Sequence, residues 1–415
     1  MGQRILNMLL RGFTLLSRFV LLFCLAKYLS PAEVGQYGII FATISYVLFI
    51  LGLDFYTYST RELIASARAD WPRILISQSA FFVVCYVVTL PFVAVFLLKS
   101  RVLPGSLIAW FFLLLVTEHI GQEINRLLIA MSKPLYASIV LFVRSGVWVL
   151  IGAAVMFLTP TVRTLSDVFA LWACGGMCAI GIGLCAFGSL DWRSAERRVD
   201  WNWIWRGVKV AVPLLVATLA TRLLFVGDRY IEKFVAGDEI LGAYTFYTGV
   251  AGSLLGFLDA AVLSFLTPRL IASVRSKDIV AAKKILSELN WSTLTLVGTF
   301  TLVCCLAIKP LVIFIGKPVY IDHYVMFLIL LSGSACFCIS MIPHYALYAI
   351  GADSAIIKCN IAGSMIFFAG CAFMYSWFAD LAVPVALLVA FAFVCISKYL
   401  LYINHYRSSA ALFVS

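Results

Sequence analysis

Arg4, Asn7, Arg11, Thr14 and Arg18 recur at spacings of 3, 4, 3 and 4 near the start of the chain, which on a helix sets all five on one stripe. At 1.5 Å per residue that stripe climbs about 21 Å. A guanidinium fork meets a phosphate with two parallel N–H donors, so such a stripe suits an oxyanion. Thr218, Arg222 and Arg229 form a second set on one helical face near the midpoint. A third set is TEHIGQEINR (117–126), which carries Glu118, His119, Gln122, Glu123, Asn125 and Arg126. These cover an arc of roughly 160° on a helical wheel. A carboxylate beside an imidazole can take up and release a proton at ordinary pH.

Each set also has a plainer reading. Arg4 and Arg11 could snorkel to the nearer membrane surface, but Arg18 lies too deep for that. The stripe then either lines a watery cavity or carries a structural ion pair. Arg222 could pair with Asp228 or Asp259 for structure alone. Glu123 and Arg126, three apart, are placed to pair with each other. Arg144 has Trp148 one turn on, which suggests a packed cation–π contact. His344, after Pro343 near a span end, reads as interfacial. Asp54 and Asp259 either cap helices or balance the arginines. Tyr56 and Tyr58 could stack sugars or sit in an interfacial aromatic belt.

All of these residues are embedded in apolar sequence. The chain of 415 residues is 63% hydrophobic and 12% charged, with a mean hydropathy of +1.03, far from a soluble domain. Apolar runs of about 20 residues, enough to cross a bilayer core, recur throughout. About twelve spans are expected: 5–26, 37–58, 75–98, 107–130, 136–158, 167–190, 207–227, 240–267, 288–308, 323–349, 359–378 and 383–404. The first is not a cleavable signal, because Arg11 and Arg18 interrupt it and no small-residue cleavage site follows. All 12 cysteines lie in or beside apolar runs and read as small hydrophobes, with no metal set among them.

Lysine and arginine counting sets the orientation. With the N-terminus inside, 18 of the 31 Lys and Arg fall on cytoplasmic segments and 8 on the other side. Arg11, Arg18, Arg144, Arg222 and Lys398 fall within spans. Both termini are therefore expected in the cytoplasm. Much of the net charge of +11 is topology and needs no nucleic-acid partner.

The stretch AKYLSPAEVGQYGII (26–40) is echoed by EKFVAGDEILGAYTF (232–246). Lys27-Tyr28-Leu29 answers to Lys233-Phe234-Val235, and Gly35-x-Tyr37 to Gly242-x-Tyr244. The two phrases open the second and eighth spans, six spans apart, so they face the same side of the membrane. That is the mark of a parallel repeat about an axis along the membrane normal. The expected organisation is an N-terminal six-helix lobe (1–190), a basic cytoplasmic linker (191–206) and a C-terminal six-helix lobe (207–415). Aligning Lys27 with Lys233 sets Arg222 opposite position 16, about half a turn from Arg18, so each lobe would offer a guanidinium at similar depth. The expected fold class is an all-α polytopic membrane protein.

LAKYLSPAEVGQYGIIFATIS after a first span resembles the corresponding stretch of polysaccharide flippases (Wzx type). These belong to the multidrug/oligosaccharidyl-lipid/polysaccharide exporter superfamily. Pro213, Asp228-Arg229 and Gly242-x-Tyr244 fit the same pattern, and the resemblance covers nearly the whole chain. It implies a MATE-like pair of lobes around a central cavity that opens alternately to either side. It also implies transfer of an undecaprenyl-pyrophosphate-linked oligosaccharide to the outer leaflet of a bacterial inner membrane, for O-antigen or another surface polysaccharide. The pyrophosphate would meet Arg11, Arg18, Arg222, Thr14 and Thr218. Ion coupling, by Na⁺ or H⁺, or further lining of the cavity would fall to Glu118, His119, Gln122, Glu123, Asp54 and Asp259. No other cofactor and no nucleic acid are expected. The partners are the lipid-linked glycan, the bilayer, and the polymerase and chain-length components of the pathway, with the protein itself a monomer.

Two rivals are weighed on composition. A cation-coupled drug exporter of the same superfamily would surround its cavity with carboxylates and aromatics, where arginines stand here. A glycan polymerase or ligase would use a sizeable outer loop with acidic or His residues, and the outer loops here are short. Phosphate loops, nucleophile elbows and zinc motifs are absent from the sequence, so an enzyme is not expected.

Overall fold

A computed structural model describes residues 2–192 and 198–412, with side chains throughout except at 2–5, 7, 8, 11, 217, 220, 221 and 405–412. The described residues hold helices and no strand. This is the form hydrocarbon demands, since only a helix or a closed barrel satisfies every backbone group without water. In order the helices are α1 (Gly2–Tyr28), α2 (Pro31–Gly52), α3 (Tyr56–Ala65), α4 (Trp71–Ser100), α5 (Gly105–Ala130), α6 (Pro134–Phe142), α7 (Trp148–Leu158) and α8 (Leu165–Phe187). There follow α9 (Trp201–Leu258), α10 (Ser264–Arg275), α11 (Ile279–Ile315), α12 (Pro318–Asp322), α13 (Tyr324–Ile339), α14 (Met341–Ala349), α15 (Asp353–Met374) and α16 (Ala379–Leu412). Among the described residues ten stretches are long and apolar enough to cross a membrane by length and composition. The protein is a multi-pass, all-α membrane protein.

Local chemistry explains several boundaries. Ser30 and Glu33 close a reciprocal box at the start of α2, with Ser30 N donating to the Glu33 carboxylate at 2.9 Å and Glu33 N to Ser30 Oγ at 3.3 Å. Thr164 and Asp167 repeat the device at α8, each satisfying backbone N–H groups that a helix start leaves open. Asp200 accepts from Trp203 N at 2.9 Å and so begins α9 inside the stretch expected as linker. The second span differs from expectation. It stops at Gly52 rather than 58, because Leu53 and Asp54 adopt left-handed φ of 47° and 50°, and α3 starts afresh at Tyr56, within the expected span, and runs on into the expected loop. α9 runs through the positions of the seventh and eighth spans and breaks only at Gly237, whose φ of 84° and ψ of −179° are non-helical. Two single turns are π-helical, Val143–Val147 and Asp259–Leu263.

By internal packing the chain divides into two compact units, 1–29 with 36–226, and 30–35 with 227–415. The boundary thus falls at 226/227 within α9, and residues 201–226 pack with the first unit. Its core joins Phe55, Phe81, Ile124, Phe187 and Trp203; Trp203 lies edge-on to Phe55 with ring centroids 5.3 Å apart. The core of the second unit joins Leu254, Leu258, Leu266, Leu289 and Met341.

The two copies of the repeated phrase touch each other. A methyl on Gly35 would sit 2.7 Å from the Asp238 carbonyl oxygen, and one on Gly242 would sit 2.0 Å from the Pro31 carbonyl oxygen. Pro31 and Asp238 are separated by 207 positions, as are Gly35 and Gly242. The contact is therefore reciprocal under the repeat, the self-complementary form a two-fold relation produces. It needs bare α-carbons, because backbone that close has no side chain to move aside. Gly242→Ala is expected to lower the stability of the solubilised protein by about 1–3 kcal/mol, the usual cost of overpacking. Gly252→Ala, where an added methyl meets nothing within 4 Å, serves as control and should leave the apparent Tm unchanged or raise it. Equal melting of the two variants would show that the crossing tolerates a side chain.

Candidate functional site

The polar residues of the first unit assemble around α5. Glu118 leaves that helix toward α8 and the π turn: its Oε1 accepts from Trp172 Nε1 at 2.7 Å, and its Oε2 lies 3.7 Å from Arg144 Nε. Arg144 reaches it across Gly121, where a methyl would stand 2.9 Å from the arginine Cδ. Its partner is thus Glu118 and not the Trp148 ring that one-turn spacing suggested. Trp148 instead donates its indole N–H to the Arg144 carbonyl at 2.8 Å and stacks on Trp172 at 6.0 Å. His119, 1% exposed, bonds Tyr86 Oη through Nδ1 at 2.7 Å, while its Nε2 is buried with no hydrogen-bond partner among the described residues.

Toward the other end of α5, Glu123 is buried and accepts from Gln78 Nε2 at 3.1 Å. It pairs with Arg126 at 2.5 Å, as the three-residue spacing suggested. The Arg126 guanidinium lies over the Tyr56 ring, 3.6 Å from its centroid, so that ring face is taken by a cation. Asp54 is buried with Oδ1 unpartnered among the described residues, and it lies within electrostatic range of Arg222 and Glu123. Arg222 is exposed and stacks over Phe49 at 4.1 Å. Gln122 and Thr218 are half-buried.

On α1, Arg18 is exposed. Thr14 is buried and donates to the Leu10 carbonyl at 2.8 Å, one turn back on its own helix. Arg4, Asn7 and Arg11 lie outside the described side chains. Arg18 and Glu118 both lie within electrostatic range of the buried Tyr37 hydroxyl, so the repeated tyrosine of the first phrase faces charge. Its counterpart Tyr244 does the same in the second unit, donating to Asp228 Oδ2 at 2.7 Å. Asp228 also takes Arg229 Nη1 at 3.2 Å, so the pairing once open to Arg222 is made by its own neighbour. Asp259 is exposed in the second π turn.

One turn beyond Asp228, Glu232 is fully buried, with neither carboxylate oxygen hydrogen-bonded among the described residues. Desolvating an ionised carboxylate without a donor is among the most expensive arrangements a protein can hold. Asp228 is balanced by Arg229, so the cost falls on Glu232, which calls for a proton or a cation of its own. The sequence reading passed over Glu232, since it sits in the repeated phrase where a loop was expected. Its four-residue spacing from Asp228 is the signal that could have found it. Among the described residues no group of three or more His, Cys, Asp and Glu gathers as a metal site, and the 12 cysteines are free thiols.

A family model described as polysaccharide biosynthesis protein matches residues 4–274. No curated protein sequence matches the chain. Among solved structures, an inward-facing multidrug resistance MATE family transporter of the MOP superfamily is similar over 99% of both chains, at TM-score 0.76 and 12% identity. Lipid II flippase MurJ, in an inward closed conformation, aligns over 95% of this chain and 86% of its own, at TM-score 0.70 and 12% identity. The Vibrio cholerae MATE transporter VcmN aligns over 98% and 99%, at TM-score 0.62 and 12% identity. Identities this low establish likeness of fold, and the fold is MATE-like.

The two buried acids of α9 should respond oppositely to loss of a hydrogen. Tyr244→Phe removes the donor to Asp228 and is expected to cost about 1–3 kcal/mol in unfolding free energy. Glu232→Gln replaces a carboxylate that has no donor and should leave stability level or higher. Thermal melts of the two purified variants decide it; a large loss in Glu232→Gln alone would show that the carboxylate is engaged.

Proposed function

Since the chain belongs to the polysaccharide biosynthesis protein family, we propose that it is a flippase for a lipid-linked, pyrophosphate-bearing oligosaccharide. It moves undecaprenyl-pyrophosphate-linked glycan from the cytoplasmic to the outer leaflet of a bacterial inner membrane, by alternating access of two repeat-related lobes, for O-antigen or another surface polysaccharide. Both termini face the cytoplasm. The observation that carries this reading is the sorting of charge within the spans. The guanidiniums of Arg18 and Arg222 are exposed, whereas the carboxylates of Asp54, Glu123, Asp228 and Glu232 are buried. Asp259, which is exposed, and Lys398, which is buried, are the exceptions, and Glu118 and Arg144 are half-buried together. An exposed guanidinium at mid-span is expensive against lipid and inexpensive against water that admits a diphosphate. A pump for organic cations needs the reverse, with carboxylates accessible and cations hidden.

Within this reading Arg18 and Arg222 hold the pyrophosphate through charge-assisted, two-pronged hydrogen bonds, and the stacked ring of Phe49 keeps Arg222 extended. The reading extends to Arg11 on the same stripe, with Thr14 fixing the local turn of α1. Glu118 and His119, held by Arg144, Trp172 and Tyr86, form the candidate coupling face of the first unit, with Gln122 as additional lining.

Neutralising either exposed arginine should leave a folded, inserted protein, because neither is needed for packing. Export should fall sharply, since losing one partner of a buried charged hydrogen bond costs about 2–5 kcal/mol, on the order of 30- to 5,000-fold in binding. Lysine should rescue only in part, keeping the charge without the fork. The measurement is complementation of a glycan-export defect by Arg18→Ala, Arg18→Lys, Arg222→Ala and Arg222→Lys at matched membrane levels. Full activity in both alanine variants would refute the anion site.

A further inference from the structure

Lys398 is the one cation among the buried residues described, at 1% exposure. It projects from α16, which packs against α13, α14 and α15, and no carboxylate comes with it. Its Nζ lies 3.3 Å from His344 Nδ1 on α14. The other titratable groups facing the pair are neutral ones. Cys359 comes from α15 and Cys395 from α16 itself, Cys336 of α13 stands beside Cys395, Tyr345 stands against the imidazole of His344, and Tyr399 is the next residue along α16. His344 is half-buried, deeper than the interfacial placement its sequence context suggested. Both residues lie about 8 Å from the C-terminal ends of their spans, so the pair stands near that surface.

An intramembrane lysine ordinarily brings a carboxylate, and the resulting pair is locked, because moving the proton orphans one partner. An amine and an imidazole behave differently, since each can donate or accept. With one added proton, the ammonium of Lys398 donates to the lone pair of Nδ1, and the imidazole carries its own hydrogen on Nε2. With that proton gone, the neutral amine and the imidazole still share a hydrogen bond. A second added proton would set two cations 3.3 Å apart. The pair therefore has a capacity of one proton and keeps its hydrogen bond in both states. Because no anion balances the charge, occupancy depends on how well the surroundings solvate it. Any change in the packing of α13–α16 that admits or excludes water shifts that occupancy, and by linkage the proton shifts the packing.

We propose that Lys398 and His344 form a proton-binding site, which takes one proton from water at the C-terminal side of α14 and α16. The balance is simple: a hydrated proton loses its bond to water and gains one to the Lys398 amine, and no other bond changes. The use of that proton to drive transport rests on the flippase reading above; its binding does not.

The test separates the two. Potentiometric titration in nanodiscs, against wild-type protein, should show one proton fewer bound between neutral and strongly alkaline pH in Lys398→Met, and the same proton bound over a shifted pH range in His344→Gln. In protein labelled with ¹⁵N-histidine, where 4 imidazoles can be assigned by single substitutions, the His344 signal should titrate over a range that moves in Lys398→Met. Met fills the lysine volume without the charge, so that variant should melt no lower than wild type. Its glycan export should nevertheless drop at least tenfold, or lose its response to the proton gradient. Superposable titration curves, or a His344 signal indifferent to Lys398→Met, overturn the site. Undiminished, gradient-responsive export in both variants overturns the use of that proton in transport and leaves the flippase reading standing. If Lys398→Met does not fold, the titration of His344→Gln decides alone. Proton binding in a wild-type protein that restores no glycan export would instead sink the flippase reading and keep the site.

Discussion

Hydrocarbon offers no hydrogen bond, and a polar group carried into it must bring its own partner or reach water. Nearly every feature of this protein follows from how that demand is met. The backbone meets it by coiling, and the helix starts that matter meet it with side chains, as Ser30 with Glu33 and Thr164 with Asp167. Charged side chains meet it in two ways. Glu118 with Arg144, Glu123 with Arg126 and Asp228 with Arg229 are neutralised in place. Arg18 and Arg222 keep an exposed face.

The same demand shapes the repeat. Both copies must turn the chain and start a new span beside each other, yet they do so with different residues. The first copy leaves its helix, caps the next with Ser30 and Glu33, and sets Pro31 in the first turn, where a missing N–H is harmless. The second keeps α9 running and bends at Gly237. What the copies share is Gly35 and Gly242, which permit the backbone crossing, and Tyr37 and Tyr244, which turn hydroxyls toward charge on the preceding helix. A duplicated sequence thus preserves the contact surface and leaves the local chain path free to diverge.

These distinctions explain what could be read ahead of the structure. The all-helical, multi-pass character was legible because apolar runs of span length are a long-range average that single residues do not disturb. The Glu123–Arg126 pair was legible because helical spacing alone brings its members together. Arg144 was misjudged for the opposite reason. Its nearest aromatic in sequence was Trp148, whereas its partner Glu118 stands on another helix and reaches it through a π turn that a 3.6-residue wheel does not contain. The second span was placed six residues too far along, since Gly52-Leu53-Asp54 reads as apolar continuation until two left-handed residues are seen. Glu232 was passed over because it fell in an expected loop, and Lys398, although counted within a span, had no polar neighbour at helical spacing to single it out. Burial is a property of packing, and neither local pattern reports it.

Among the described residues several buried groups are left without a full set of partners, and they differ in kind. Glu232 and one oxygen of Asp54 lack donors, and Lys398 lacks an anion. A core selected for stability alone would replace such groups with apolar ones of the same size, which are as stable or more so. Their retention places a standing cost on the resting conformation, and a standing cost is what a moving protein can use. A conformation that supplies the missing partner, whether a proton, a cation or water, is favoured by the amount the present one forgoes. Paired residues such as Glu123 and Arg126 give no such leverage, because they are satisfied wherever their helix goes. By this argument a change of conformation would be rewarded at unsatisfied side chains such as Glu232 and Lys398, whereas the Glu123–Arg126 pair would be indifferent to it.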